Sequence, residues 1–331
     1  MLGKEDIEGK KEILLEAAEI SKIFPVKKRS LYAVNRVSLT LSKGECLGIV
    51  GESGCGKSTL ARIIGGITEA SQGTLKLEDV DYTGLKGKEK RKFRRNIQMV
   101  FQDPLSSFSP RMKIGTYLAE SRRNYDGISK KEGKQEAEKL LEQVGLPTEF
   151  AKRYPHELSG GQLQRVAIAR AISVHPKLLI CDEATGALDV SIQNQIARLL
   201  VSLVEEQNMG CIFIGHDLAL VRSVSQRIAV MYLGRIVEVL ESETLVSQAS
   251  HPYTKALLSS VLDVYRDQEC ELKLLKGEPQ SPLRIYQGCA FAERCGRCVE
   301  RCRKEIPVLR QDSPGHQVAC HNPYTAKTDI D

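Results

Sequence analysis

Residues 51 to 59, GESGCGKST, restrict this chain more than any other stretch. The spacing G-x-x-x-x-G-K-[ST] describes a loop whose successive backbone N–H groups point inward at phosphate oxygens. Gly51, Gly54 and Gly56 let the backbone turn tightly, Lys57 reaches the β- and γ-phosphates, and Ser58 can place its hydroxyl on Mg²⁺. Cys46 to Val50 reads as a buried strand before the loop, and Thr59 to Ile64 opens a helix after it. The positive end of that helix adds to the same anion site. Strand, phosphate loop and helix in this order predict an α/β fold that binds a nucleoside triphosphate.

The 331 residues suffice for about two domains with a sizeable core. A content of 41% hydrophobic and 27% charged residues is that of a soluble globular protein. No apolar run approaches the roughly 18 residues of a membrane span, and Met1 to Lys11 is charged where a secretory signal turns apolar. The expectation is a cytoplasmic protein that meets a membrane through a partner. The net charge is +6, with a basic run from Lys86 to Arg95. No aromatic platform accompanies that run, so a solvated helix face is favoured over a nucleic-acid patch. Of the ten cysteines, Cys46, Cys55, Cys181 and Cys211 fall in strands and the phosphate loop as small buried hydrophobes. Cys289, Cys295, Cys298, Cys302 and Cys320 crowd toward the end, with Cys270 as an outlier. Without a secretory signal, that crowding favours metal over disulfides.

Along the chain, residues 12 to 24 carry the apolar positions of an edge strand ending near Phe24, and Tyr32 to Leu41 those of a second strand. An aromatic here can stack on a nucleotide base, Phe24 first and Tyr32 in reserve, or serve as simple core. Gly73 to Leu77 reads as a short strand, and Ile97 to Phe101 as another that stops at Gln102-Asp103-Pro104. Gln102 thus stands at a strand end, where residues often face ligands. From 115 to 157 the texture is helical and charged, an insertion in the nucleotide-binding core. Leu158-Ser159-Gly160-Gly161-Gln162 precedes Leu163, Val166, Ala167 and Ala171, which line one face of a helix. Ser159 is placed as its N-cap, and the glycines leave first-turn N–H groups open, which describes either a second anion trap or a plain capped helix.

Leu178 to Asp182 is an apolar strand ending in Asp182-Glu183. Asp182 can hold Mg²⁺ through water while Glu183 orients or deprotonates the attacking water. Ala187-Leu188-Asp189 turns into an amphipathic helix starting near Ser191. His216-Asp217 ends the strand that starts at Cys211, level with the other strand ends, where ligands of open α/β sheets bind. Arg227 to Val239, with Gly234 at its turn, reads as a hairpin that closes the core.

A phosphate loop, a strand-end glutamine, LSGGQ, a strand ending in Asp-Glu and a strand-end histidine, in that order, resemble the ATPase subunit of an ATP-binding-cassette transporter. LSGGQ is the discriminating motif. GESGCGKSTLAR, RRNIQMVFQDP, HPYTKALLS and the cysteine block are similar, more narrowly, to the oligopeptide/dipeptide importers of the peptide/nickel family, and to the second (F-type) of their two ATPase subunits. The resemblance implies a P-loop NTPase domain over 12–262, with a RecA-like core, an antiparallel β subdomain and a helical subdomain at about 104–160. A small cysteine-rich extension would occupy 263–331.

The resemblance also implies site roles. Ser53, Lys57, Ser58 and Thr59 hold nucleotide with the loop glycines, and Ser58, Gln102 and Asp182 hold Mg²⁺. Glu183 is the catalytic base, His216 contacts the γ-phosphate, and Asp189 belongs to the following D-loop. Ser159, Gly160, Gly161 and Gln162 complete the ATP site of a second, different ATPase subunit. Two ATP molecules are then sandwiched between two subunits that drive a pair of permease subunits, supplied by an extracytoplasmic solute-binding protein. The chain would sit on the cytoplasmic face of the membrane as a peripheral protein and power peptide import, or, alternatively, import of nickel or a metal chelate. Nucleic acid is not among the expected partners. Ala184 and Gly186 stand where the family has proline and serine, Ser106 to Arg111 departs from Ser-Leu-Asn-Pro-Arg, and Arg284 to Gln287 replaces a proline-rich approach. Neither Ala184 nor Gly186 removes a group that hydrolysis needs. An ATP-binding subunit without turnover would lack Glu183 or His216, and both are present.

For the cysteine block, chemistry alone allows Zn²⁺ or an iron–sulfur cluster, each taking four thiolates, or reduced thiols without metal. The resemblance implies a [4Fe–4S] cluster on Cys289, Cys295, Cys302 and Cys320, with Cys298 as an extra thiol. Cys295-x-x-Cys298 is also zinc spacing.

Overall fold

The computed structural model of the chain describes residues 12–27, 29–186, 188–262, 281, 283 and 286–325. Ala187, Cys270, Arg284 and Ile285 lie outside the described residues, as does the charged segment Met1 to Lys11. The strands are β1 (Ile13–Val26), β2 (Arg29–Ser42), β3 (Cys46–Val50), β4 (Gln72–Leu77), β5 (Val80–Asp81), β6 (Ile97–Val100), β7 (Leu178–Asp182), β8 (Gly210–Ile214), β9 (Arg227–Tyr232), β10 (Arg235–Glu241), β11 (Arg310–Ser313) and β12 (His316–Val318).

The strands β3, β7 and β8 are buried at every position. Continuous apolar runs of this kind belong in a parallel sheet covered on both faces. They occupy the middle of an eight-stranded sheet ordered β11-β12-β10-β9-β3-β8-β7-β6, in which β9, β3, β8, β7 and β6 run parallel. The carboxyl ends of β3, β6, β7 and β8 therefore share one edge, and Gly51, Phe101-Gln102, Glu183 and Gly215-His216 follow directly from them. That edge is where an open α/β sheet gathers its ligand.

A second, antiparallel sheet, ordered β2-β1-β4-β5, covers one face. Leu14, Ile20 and Leu39 from it pack with Ile49, Ile212 and with Leu60 and Ile63 of the helix Lys57–Ile64. Each such fully buried side chain contributes about 1.5–3 kcal/mol of transfer free energy. On the other face the helix Gly160–Ile172 lies against β6, and the helices Ile114–Asp126, Lys130–Gln143 and Val190–Gln207 pack on it, in a core shared with Leu179, Cys181 and Phe213. No strand interrupts residues 101–177, which carry the helices Ile114–Asp126, Lys130–Gln143 and Gly160–Ile172. The basic helix Gly87–Phe93 has no buried residue, as a solvated face requires. Among the described residues no helix is long and apolar enough to cross a membrane.

Two expectations about sheet edges are corrected. The strand β1 is not an edge, because it pairs with β2 on one side and β4 on the other. The hairpin β9–β10 is present with Gly234 at its turn, but it does not close the core, because β12 pairs with β10 (Glu238 opposite Val318) and β11 pairs with β12. In both cases the covering strand comes from far along the chain, and local periodicity carries no signal of it. Through β12, and through Phe291 in the core, the described part of 263–331 is built onto the sheet that holds the phosphate loop.

Candidate active site

Gly56 has φ +109° and forms the N-cap of the helix Lys57–Ile64, and a Cβ there would stand 2.1 Å from the Ala33 carbonyl oxygen. Gly51 has φ +152° and would meet the Met231 carbonyl at the same distance. Side chains at these positions would push the loop off its neighbours, so glycine is required by space as well as by φ. Lys57 is buried, and its Nζ donates to the carbonyl oxygens of Gly51 at 2.7 Å and Glu52 at 3.0 Å, bridging the start of the loop. Ser58 Oγ donates to Asp182 Oδ1 at 2.8 Å, joining the loop to the end of β7. Burial pushes the Asp182 carboxyl above its usual range, against the Ser58 hydroxyl and the Arg62 charge. A cation entering between Ser58 and Asp182 would relieve that burial cost.

A cavity of about 390 Å³ opens over the loop, and its lining includes Ser53, Gly54, Gly56, Lys57, Ser58 and Thr59 together with Phe24, Tyr32, Gln102 and Glu183. The size is within the range of small-molecule sites, about 300–1,000 Å³. Both aromatic candidates therefore line the same cavity as the loop residues and Glu183. Glu183 follows β7 with φ +50°, and its N–H donates to Ile214 O at 3.0 Å. A left-handed non-glycine residue costs about 1–2 kcal/mol, a strain that functional residues often carry. Leu31 and Leu233, which sequence reasoning did not single out, also line the cavity, as does Gly234 of the hairpin turn.

His216 is exposed and does not line the cavity, but its ring stands near Gln102 across Gly186. A Cβ on Gly186 would be 3.5 Å from His216 Cε1 and 3.7 Å from Gln102 Nε2, ordinary contact distances that leave room for the family's serine. Asp217 caps the helix Leu218–Val224, accepting N–H bonds from Ala219 at 2.8 Å and Leu220 at 3.2 Å.

The LSGGQ segment lies elsewhere. Ser159 and Gln162 form a reciprocal capping box, Ser159 N–H to Gln162 Oε1 at 3.0 Å and Gln162 N–H to Ser159 Oγ at 3.4 Å. Neither they nor Gly160 and Gly161 line the phosphate cavity. A Cβ on Gly161 would meet Ile192 Cγ2 at 2.7 Å, and one on Gly160 would meet Leu188 at 3.4 Å. The start of this helix thus backs onto the segment containing Asp189, which is exposed and forms the N-cap position of the helix Val190–Gln207 without a side-chain bond.

The C-terminal cysteines form a second cluster. Cys289 N–H donates to Cys302 O at 2.7 Å, and Asn322 N–H donates to Cys320 Sγ at 3.4 Å. Burial pushes the Cys289 thiol up to about 12 and the Cys320 thiol to about 11, and it raises Cys295 too. Each of the three accepts a backbone N–H from two residues ahead, Phe291, Arg297 and Asn322, which opposes the shift, while the other thiols of the set raise it further. Cys302 is among those neighbours for all three. Cys298 differs: its thiol donates to the Val299 carbonyl at 3.7 Å. Among the described residues no three His, Cys, Asp or Glu side chains stand close enough to hold one metal ion.

Three residues at the loop had no role in the sequence reading. The Glu52 carboxylate is forked by Arg294, and the Glu52 N–H donates to the Tyr253 hydroxyl at 2.8 Å. Arg294 is 242 positions from Glu52, and an arginine between two cysteines is the only hint the sequence offers.

Comparison with known proteins agrees with this geometry. The family described as ABC transporter matches residues 34–186, and the family described as oligopeptide/dipeptide transporter, C-terminal region, matches residues 237–302. The oligopeptide transport ATP-binding protein OppF of Salmonella typhimurium is 44% identical over 322 residues, 94% of this chain and 96% of that protein. The di/tripeptide transport ATP-binding protein DppF of Pseudomonas aeruginosa is 42% identical over 318 residues, 94% of this chain and 98% of that protein. Among solved structures, the dimeric post-hydrolysis state of the ATP-binding cassette MJ0796 bound to ADP and Pi superposes with a TM-score of 0.64 at 30% identity, covering 69% of this chain and 99% of that one.

Proposed function

This chain belongs to the ABC transporter family of ATP-binding proteins, and from that premise we propose that it is an ATPase subunit powering import of di- and oligopeptides through a membrane permease. The observation that carries the reading is the single cavity lined by Lys57, Ser58, Gln102 and Glu183. The names of the relatives above, which concern peptides, favour peptides over nickel or a metal chelate.

ATP enters with its phosphates on the loop and its base toward Phe24 and Tyr32. Lys57, already bridging two loop carbonyls, turns its charge to the β- and γ-phosphates. Ser58, Gln102 and Asp182 would hold Mg²⁺. When bound, the metal neutralises charge on the phosphate oxygens. Glu183 takes the proton of the attacking water, and its left-handed backbone fixes the carboxylate at the strand end. His216, beside Gln102, contacts the γ-phosphate.

The separation of LSGGQ from the cavity supports a paired site, in which Ser159 to Gln162 close over ATP held by a second, different ATPase subunit and this chain's ATP receives that subunit's signature segment. The pair works on two permease subunits at the cytoplasmic face of the membrane, downstream of a solute-binding protein. The C-terminal thiols Cys289, Cys295, Cys302 and Cys320 would hold the [4Fe–4S] cluster that the resemblance implies, in preference to Zn²⁺. What supports the set is that Cys302 stands beside each of the other three thiols. The cluster would serve as a rigid four-thiolate anchor for the segment.

The test is ATP hydrolysis by the assembled complex carrying Glu183→Gln. A loss of about 10²-fold or more with ATP still bound is expected, the contribution of a general base being about 10²–10⁴-fold. Unchanged hydrolysis would refute Glu183 as the base.

A further inference from the structure

Glu52, the second residue of the phosphate loop, is held at three points. Its carboxylate accepts both arms of Arg294, Nη2 to Oε1 at 3.0 Å and Nη1 to Oε2 at 2.9 Å. Its N–H donates to Tyr253 Oη at 2.8 Å, and its carbonyl oxygen accepts from Lys57 Nζ at 3.0 Å. Two of these holds come from the C-terminal part of the chain, and the third is the lysine that meets the phosphates.

Arg294 is placed with care. Its side chain is 6% exposed, against 23% for Glu52, so the pair is largely out of water. The guanidinium carbon lies 6.0 Å from the ring centres of both Tyr232 and Phe291, and Nη1 also donates to Tyr232 Oη at 3.4 Å. Tyr232, Tyr253 and Phe291 pack ring against ring with centres 4.7–5.5 Å apart. A planar fork in an aromatic slot, bonded at both arms, fixes direction as well as charge, which an exposed ion pair does not.

The charge has a purpose at this address. An unpaired Glu52 carboxylate would place negative charge on a loop whose task is to collect phosphates, and Lys57 is needed for the phosphates themselves. We infer that Arg294 is a positioning residue of the ATP site: from the cysteine segment it neutralises and orients Glu52, and through the Glu52 carbonyl it sets Lys57. The inference rests on the ATPase reading. Because Arg294 lies between Cys289 and Cys295, correct folding of that segment becomes a condition for tight ATP binding.

Steady-state ATP hydrolysis by the assembled complex, with KM and kcat separated, tests this on Arg294→Met, Arg294→Lys and the double variant Arg294→Met/Glu52→Gln. Arg294→Met should raise KM for ATP about tenfold with kcat within about threefold, because ground-state and transition-state phosphates lose the same support. The double variant should return KM to within about threefold of the parent, since the stranded carboxylate is gone. Arg294→Lys should fall between, keeping charge without the fork. A KM within about twofold of the parent for Arg294→Met, or a double variant as poor as the single, would overturn the inference. If Arg294→Met does not assemble, an unchanged KM for Arg294→Lys overturns it equally. A parent complex without ATPase activity would instead refute the function proposed above.

Discussion

The phosphate loop and the cysteine segment lie against each other and are built on opposite terms. In the loop nearly every useful group comes from nine consecutive residues, and its internal bonds span five or six positions, Lys57 to Glu52 and to Gly51. The cysteine segment draws its four thiols from 289 to 320, and it reaches the rest of the molecule through Arg294 to Glu52, 242 positions away, and Arg294 to Tyr232, 62 away. Local bonds close cheaply, whereas distant ones form only after the sheet has brought their ends together. Chemistry can therefore be read from the loop alone, and the segment's contribution depends on how it docks. Changes in the loop should strike ATP with little effect on folding, and changes in the segment should strike folding first.

The largest effect expected under that contrast belongs to Lys57→Ala. Losing its charge-assisted bonds should weaken ATP binding by about 10²-fold, measured with a fluorescent nucleotide, while the melting temperature without nucleotide changes little. Equal losses of folding and binding would erase the contrast. Within the segment, Cys302→Ser should abolish iron content in anaerobically purified protein and lower its melting temperature, whereas Cys298→Ser should leave both unchanged, because the Cys298 thiol is turned to the Val299 carbonyl. Iron lost equally from both variants, or from neither, would contradict the four-thiol set.

A smaller effect concerns the edge that anchors the segment to the sheet. His316 of β12 bonds Glu238 of β10 at 2.8 Å, with Ser250 and His251 backbone N–H groups on the same carboxylate and Asp312 at 3.6 Å from the other ring nitrogen. The Glu238 bond, opposed by burial and helped by Asp312, raises the His316 pKa above its ordinary value. A raised folded-state pKa adds stability that is complete below the unfolded value, about 6.5, and is lost as pH rises through the folded value. His316→Gln should therefore cost about 1 kcal/mol in denaturant unfolding at pH 6 and less as pH rises above that window. A cost that grows with pH would contradict the charged pairing. Least of all, Gly186→Ser should keep hydrolysis within about twofold, since a Cβ there meets only ordinary contacts.

Much of the site was legible because its parts are short motifs at strand ends. Gly51 to Thr59, Gln102, Asp182-Glu183 and His216 each follow a strand whose apolar run is visible in the sequence, and a parallel sheet aligns those ends. What was not legible depends on pairing across distance. The strand β1 reads as an edge because nothing in residues 12 to 24 reveals β4, and β10 reads as the last strand because β12 lies nearly eighty residues later. Glu52 looked like a spacer in its motif, and only the docking of Arg294 and Tyr253 gives it work.

The central division, in which this chain's phosphate loop and its LSGGQ segment serve two different ATP molecules, is tested most directly by photolabelling this chain with an azido-ATP in the assembled complex. Ser159→Arg should keep labelling of this chain within about twofold while hydrolysis by the complex falls, and Lys57→Ala should lose the label. Loss of labelling in Ser159→Arg comparable to that in Lys57→Ala would contradict the division.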